Sequence, residues 1–441
     1  GDGTVSAAKI ASGAVTTAKV ADGAITAAKL ATGAASITSD AQNNTVAGTN
    51  AGDSFTGTDA TDNTLIGKDA GTAITTGDRN TALGSTSLDA NTTGSYNTGT
   101  GYGALGANTT GAANTAVGNG ALLANTTADN NTAVGNDALL SNTTGTLNTA
   151  IGSGCLAANT TADQNTGLGR NALNANTTGA NNLATGHAAL NANTTGSDNT
   201  ALGKSALTSN TTASNNTAIG RSALLSNTTG ASLVAVGYEA LKSNTTGNTS
   251  VAVGERALQS NTTGNHNIGI GQFGLQLNTT GASNTAVGYG SLDANTTASN
   301  NTALGAMSLS ANTTGASNVA VGMEALENNT TGSSNTACGM RSLEANTTGE
   351  ENTAHGTGSL FSNTTGSRNT AVGQNALVLN TTASNNTAVG QDALYSNTTG
   401  AQNTAVGANS LDANTTGQNN SALGFNALGA NTTGQSNVAV G

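Results

Sequence analysis

The strongest constraint on this chain is a repeat: from Asn80 to Ser436 a 17-residue unit recurs 21 times without insertion or deletion. The copy from Asn114 to Asn130 reads Asn-Thr-Ala-Val-Gly-Asn-Gly-Ala-Leu-Leu-Ala-Asn-Thr-Thr-Ala-Asp-Asn. Asn63 to Arg79 is a looser copy, and Asn437 to Gly441 begins another. A strict short period means one structural turn per unit, stacked on its neighbours, because a single unit cannot bury a core alone. The amino-acid inventory suits stacking better than globular packing. Pro and Trp are absent, aromatics are 2%, charged residues 8%, and Gly is 60 of 441. A net charge of −11 is too small over this length to hold the chain disordered. It also leaves no basic patch for nucleic acid. No apolar run is long enough to span a bilayer.

Numbering each copy from Asn80 as column 1 turns the sequence into physical requirements. Column 5 is always Gly, for example Gly118 and Gly135, which calls for positive φ or close backbone approach. Column 9 is Leu in all 21 copies, for example Leu122 and Leu139, and supplies one large anchor per coil. Columns 12–14 are Asn-Thr-Thr throughout, for example from Asn125 and Asn142. Columns 2 to 4 alternate Thr or aliphatic, Ala, then aliphatic before the Gly, which reads as a short strand whose columns 2 and 4 share one face. Ala in column 3 leaves room for another backbone on the opposite face. Ala or Ser in column 8 and Leu in column 9 read as a second short strand. Columns 6, 7, 10, 16 and 17 hold most charges and read as wet positions. Each coil is then strand, glycine turn, short strand and polar loop, with two large aliphatics. Burying each contributes only about 1.5–3 kcal/mol, against about 1–2 kcal/mol per residue of backbone entropy. The expectation is an all-β parallel β-roll or β-solenoid that shares its Ala/Leu face among chains as a parallel homotrimer. At about 4.8 Å per coil, 22 coils make a rod of roughly 105 Å.

Three segments follow: a stem at 1–35, a junction at 36–62, and the 17-residue-repeat shaft at 63–441. The stem repeats every ten residues, with Gly3, Gly13, Gly23 and Gly33 at the joints. The chain opens without Met and stops five residues into a new copy, so a longer polypeptide is expected at both ends.

Two resemblances attach to these residues. The segment around Gly13-Ala-Val-Thr-Thr-Ala-Lys-Val resembles decapeptide arrays of bacteriophage tail fibres. Ser250-Val251-Ala252-Val253-Gly254 and Asn318-Val319-Ala320-Val321-Gly322 resemble the head repeat of YadA-type trimeric autotransporters. The second likeness implies a trimer of left-handed parallel β-rolls. The repeat here is longer than that family's and adds the constant Asn-Thr-Thr. Together they imply a virion fibre shaft that projects a receptor-binding tip, which lies outside this chain and meets a host receptor or glycan. The alternatives are a bacterial extracellular adhesin or filament, and an ice-binding solenoid. The expected location is the virion surface, or else the cell surface or extracellular space.

Candidate sites are few. Asn91, Asn108, Asn125 and Asn142 open Asn-Thr-Thr sequons that a secretory pathway could glycosylate. The plainer reading is an asparagine ladder along the fibre. The adjacent Thr of columns 13 and 14 would point to opposite faces of an extended strand, which spoils a threonine array for ice. Cys338 and His355 share column 4 of neighbouring coils, so a trimer would stack three thiols on three imidazoles, a conceivable metal site. The plainer reading is tolerated substitution, as at Thr100 and Thr185. Cys155 and Cys338 lie nearly 11 coils apart, roughly 50 Å, too far for an intrachain disulfide. No catalytic constellation or phosphate loop is apparent, and no enzyme activity or cofactor is expected.

Overall fold

The computed structural model describes residues 37–56 and 58–441, so the decapeptide stem lies outside the described residues. The chain is a single parallel β-solenoid. Strand β1 (Thr38–Ser39) pairs antiparallel with β2 (Thr45–Ala47), and β2 pairs in parallel with β3 (Thr64–Ile66). From β4 (Thr81–Leu83) to β25 (Val438–Val440) one three-residue strand recurs per coil, each paired in parallel with the next. Register is set by the period: Thr200 faces Thr217, Ala201 faces Ala218, and Leu202 faces Ile219. The described residues contain no helix.

Three residues per coil are a short strand, yet the backbone is bonded well beyond them. In the coil at Asn80, Thr86 N–H donates back to Lys68 O, while Leu88, Ala90 and Thr92 donate forward to Ala104, Gly106 and Thr109. Neighbouring coils thus satisfy one another's peptide groups around most of the turn, as buried backbone requires.

Columns 6 to 11 form a turn, not the second strand expected from Ala-Leu. The column 9 leucines all sit in the left-handed region, with φ between 50° and 57°. That conformation costs a residue with a Cβ about 1–2 kcal/mol. It persists because it aims every one of these side chains into the lumen, where nearly all are fully buried. Columns 7 and 17 also take positive φ, at Asp137, Asn171, Asn130 and Asn181 among others. Their enrichment in Asn and Asp, which tolerate that region, was a readable signal. Column 5 glycine answers both demands made of it. Gly135 has φ 139°, and a Cβ there would lie 2.6 Å from the carbonyl carbon and oxygen of Gly152 in the next coil.

The core reverses the expected sidedness of the strand. Ala82, Ala116, Ala133 and their equivalents in column 3 point inward and are buried, together with column 8 and Leu of column 9. Columns 2 and 4 point outward. Most coils therefore bury one large aliphatic side chain, not two, the exceptions being Leu65 with Ile74 and Leu233 with Leu241, and the Ala/Leu face lies sealed inside a single chain. It is not available to be shared among copies.

The lumen is too narrow for anything else. Where column 8 carries Cys155, the next coil has Gly167 in place of column 3 Ala, and a Cβ there would lie 2.4 Å from Cys155 Sγ. Ser87 and Gly99 compensate in the same way, with Ser87 Oγ donating to Gly99 O at 3.0 Å. Among the 17-residue coils a larger residue enters at this layer only at Leu65, whose own coil has Gly71 in place of the column 9 Leu; in the regular coils the larger residues of the strand go outside.

Candidate functional site

Two asparagine ladders fill the polar part of the lumen. In column 12, Asn108 Nδ2 donates to Asn91 Oδ1 at 2.8 Å and to Gly111 O at 2.9 Å, and Asn125 repeats the pattern one coil on. Asn91, Asn108, Asn125 and Asn142 are buried; Asn108, Asn125 and Asn142 commit both amide protons, and Asn91, the first rung, donates to Gly94 O. The plainer reading of Asn-Thr-Thr is what the fold contains. A glycan on these nitrogens is incompatible with the packing, so the glycosylation expectation is corrected. Column 13 Thr adds a third row, with Thr92 Oγ1 donating to Thr109 O at 3.0 Å.

The second ladder was not singled out from sequence. In column 1, Asn97 N–H donates to Asn80 Oδ1 at 3.0 Å while Asn97 Nδ2 donates to Gly111 O at 2.8 Å. It is interrupted at Leu233 and Ser250. Column 16 was likewise read only as wet. Where it is Ser, Asp or Asn, its side chain accepts the N–H of the preceding coil, as from Ala112 to Asp129 and from Ser197 to Ser214.

The outward sheet face is the principal surface that could engage a partner. Column 2 presents Thr in most copies and Val, Ile, Leu or Ser in the rest. Column 4 presents aliphatics, many of them more than a third exposed, including Leu83, Ile151, Leu202, Leu304 and Val372. From Thr64 to Val440 neither column contains Lys, Arg, Asp or Glu. The face is thus a long uncharged strip, mostly aliphatic in column 4 and mostly threonine in column 2, and large exposed apolar surface is the kind that partners cover. At about 4.8 Å per rung the face is about 110 Å long and about 10 Å wide, on the order of 1,100 Å².

Charges gather on other columns. Lys242 and Glu239 pair at 2.8 Å, Arg256 reaches Glu239 at 3.5 Å, and Arg368 pairs with Glu351 at 3.0 Å. Arg221 and Arg256 lie against the Tyr238 ring, with guanidinium carbons 5.7 Å and 5.8 Å from its centroid.

Cys338 and His355 stand on that outward face. They end β19 (Thr336–Cys338) and β20 (Thr353–His355) and are direct partners across the parallel pair. Cys338 is half-buried and His355 exposed. Cys155 is separate from both, buried in the lumen, where desolvation pushes its thiol up to about 12. Among the described residues no three His, Cys, Asp or Glu side chains of the chain gather where they could hold a metal ion. No helix among them is long and apolar enough to cross a membrane. No protein-family model matches the chain, and no curated protein matches it.

Proposed function

We propose that this chain is the shaft of a fibre: a rigid rod of parallel copies docked along the column 2 and 4 face, holding a binding tip away from a virion. The tip, which would meet a host receptor or glycan, lies outside this chain. The observation that carries the proposal is the unbroken, uncharged outward face. Its area, on the order of 1,100 Å², exceeds the roughly 800 Å² that each partner of a stable complex contributes.

Its periodicity selects the occupant. A partner must match one rung in every coil over the whole length, and any difference in pitch accumulates until contacts fall between rungs. A second copy of the same chain matches at every rung by construction. Three copies about a common axis would cover the face and leave the charged columns outside. Uniform coils, each contacting only its neighbours, suit a spacer.

The test is the mass of the native chain by sedimentation equilibrium. Three copies are expected. Val236→Lys with Val253→Lys should give a monomer with an unchanged circular dichroism spectrum, because both side chains point away from the lumen. A stable wild-type monomer would overturn the proposal. One observation favours a second reading, ice binding. Thr in column 2 and methyl groups in column 4, two residues apart on one face, form the regular array that columns 13 and 14 do not. That reading requires the monomer, with thermal hysteresis that the two lysines abolish.

A further inference from the structure

Over the outward face from Thr64 to Val440, Cys338 and His355 are the only side chains that carry a thiol or an imidazole. They are not scattered. They occupy adjacent rungs, paired directly at their Cα atoms, on the same side of the sheet. In-register strands place them about 4.8 Å apart, and Ala337 and Ala354, the residues that precede them, are buried on the other side. The rungs above and below carry Val321 and Val372. Among the described residues neither side chain hydrogen-bonds within the chain. The two other interruptions of column 4, Thr100 and Thr185, stand alone among aliphatics.

We propose that Cys338 and His355 are one chain's share of a metal site completed by the same pair from neighbouring copies. This rests on the shaft reading, in which the face is covered by identical chains. A parallel assembly about an axis along the rod brings every copy's Cys338 to one level and every His355 to the next. Two copies then offer two thiolates and two imidazoles, and three copies offer three of each. Thiolate and imidazole nitrogen without carboxylate are the donors of zinc-class cations, and they disfavour calcium and magnesium. The alternative inside an apolar seam is an imidazole with no partner, which is costly to bury. One chain supplies only two ligands, so binding is tied to assembly. Each thiol gives up its proton to become the ligand, so uptake releases protons and weakens as pH falls.

The experiment is a cobalt(II) titration of the full chain, reduced and under nitrogen, with sedimentation run on the same samples. Cobalt(II) stands in for zinc and reports thiolate ligation by a charge-transfer band. The expected result is an assembled protein that develops this band, loses it when zinc is added, and lacks it as Cys338→Val or His355→Val. Valine is the common residue of column 4, so both variants should still fold and assemble. Cys155 is sealed in the lumen and remains in both variants, which makes it an internal control. An assembled protein without the band overturns the site and leaves the shaft standing. A monomeric wild type overturns the shaft and the site with it. A band that survives in both variants places the metal elsewhere and overturns the site.

Discussion

Replacing Asn210 by alanine tests whether the buried amide ladder holds the coils together. Asn210 Nδ2 donates to Asn193 Oδ1 at 2.8 Å and to Ala213 O at 3.0 Å, and Asn210 Oδ1 accepts from Asn227 Nδ2 at 3.1 Å. The losses are unequal. Ala213 O keeps Asn199 Nδ2 at 2.9 Å, and Asn227 Nδ2 keeps its other bond to Gly230 O at 2.9 Å. Asn193 Oδ1 loses its donor altogether, and one Asn227 proton loses its acceptor. Both residues are buried. Two orphaned groups at about 1–3 kcal/mol each predict a loss of about 2–6 kcal/mol. A water admitted to the vacated space, which is about one water's share of volume, brings the loss to the low end. The assay is denaturant unfolding together with amide hydrogen exchange. Because coils couple only to neighbours, the amides of Thr194, Thr211 and Thr228 should exchange faster while those beyond residue 300 stay protected. Thr212→Ala is the control, since Thr212 lies in the same loop but is exposed. If Asn210→Ala matches the Thr212→Ala control in both measurements, the ladder does not stabilise the rod as argued.

Two more outcomes follow from the lumen and the turn. Gly167→Ala should destabilise by about 1–3 kcal/mol through overpacking against Cys155 Sγ, and Cys155→Ala in the same chain should remove most of that loss; additive losses in a double-mutant cycle would refute the compensation. Desolvation, the largest influence on Asp293, raises its carboxyl above the usual 3.8, with bonds to backbone N–H groups opposing. The folded state therefore holds that proton more tightly than the unfolded state, so Asp293 favours folding below about pH 3.8 and this contribution is lost as pH rises through the raised value. Asp293→Asn should match wild type in thermal midpoint below that window and exceed it above; equal midpoints at all pH values would refute the assignment.

Much of the ladder was legible because the repeat averages out accident. A residue constant through 21 copies has a reason in every coil, and Asn125 and Asn142 were readable as a ladder on that ground. Column 1 Asn is nearly as constant, but Leu233 and Ser250 break it and it sits at the edge of a strand motif, which masks its role in a single copy. Column 9 illustrates the opposite failure. Leu after Ala suggests extended backbone, yet Leu207 has φ 51°. No local propensity favours leucine there. Burial in the lumen outweighs the strain, and burial is invisible in a single copy.

The sequence by itself determined the period, the parallel stacking, the glycine turn at Gly118 and Gly135, and the leucine anchor at Leu122 and Leu139. Each follows from a constant residue in a fixed column. Only the tertiary structure decided which side of the three-residue strand faces inward. Alternation says that columns 2 and 4 share a face, and hydrophobicity would put that face inside. The lumen, already occupied by Leu, two asparagines and column 8, leaves space only for the Ala of column 3. Volume overrode hydrophobicity and turned the valines outward. That choice places an uncharged sheet face, with Cys338 and His355 on it, where another copy of the chain can reach.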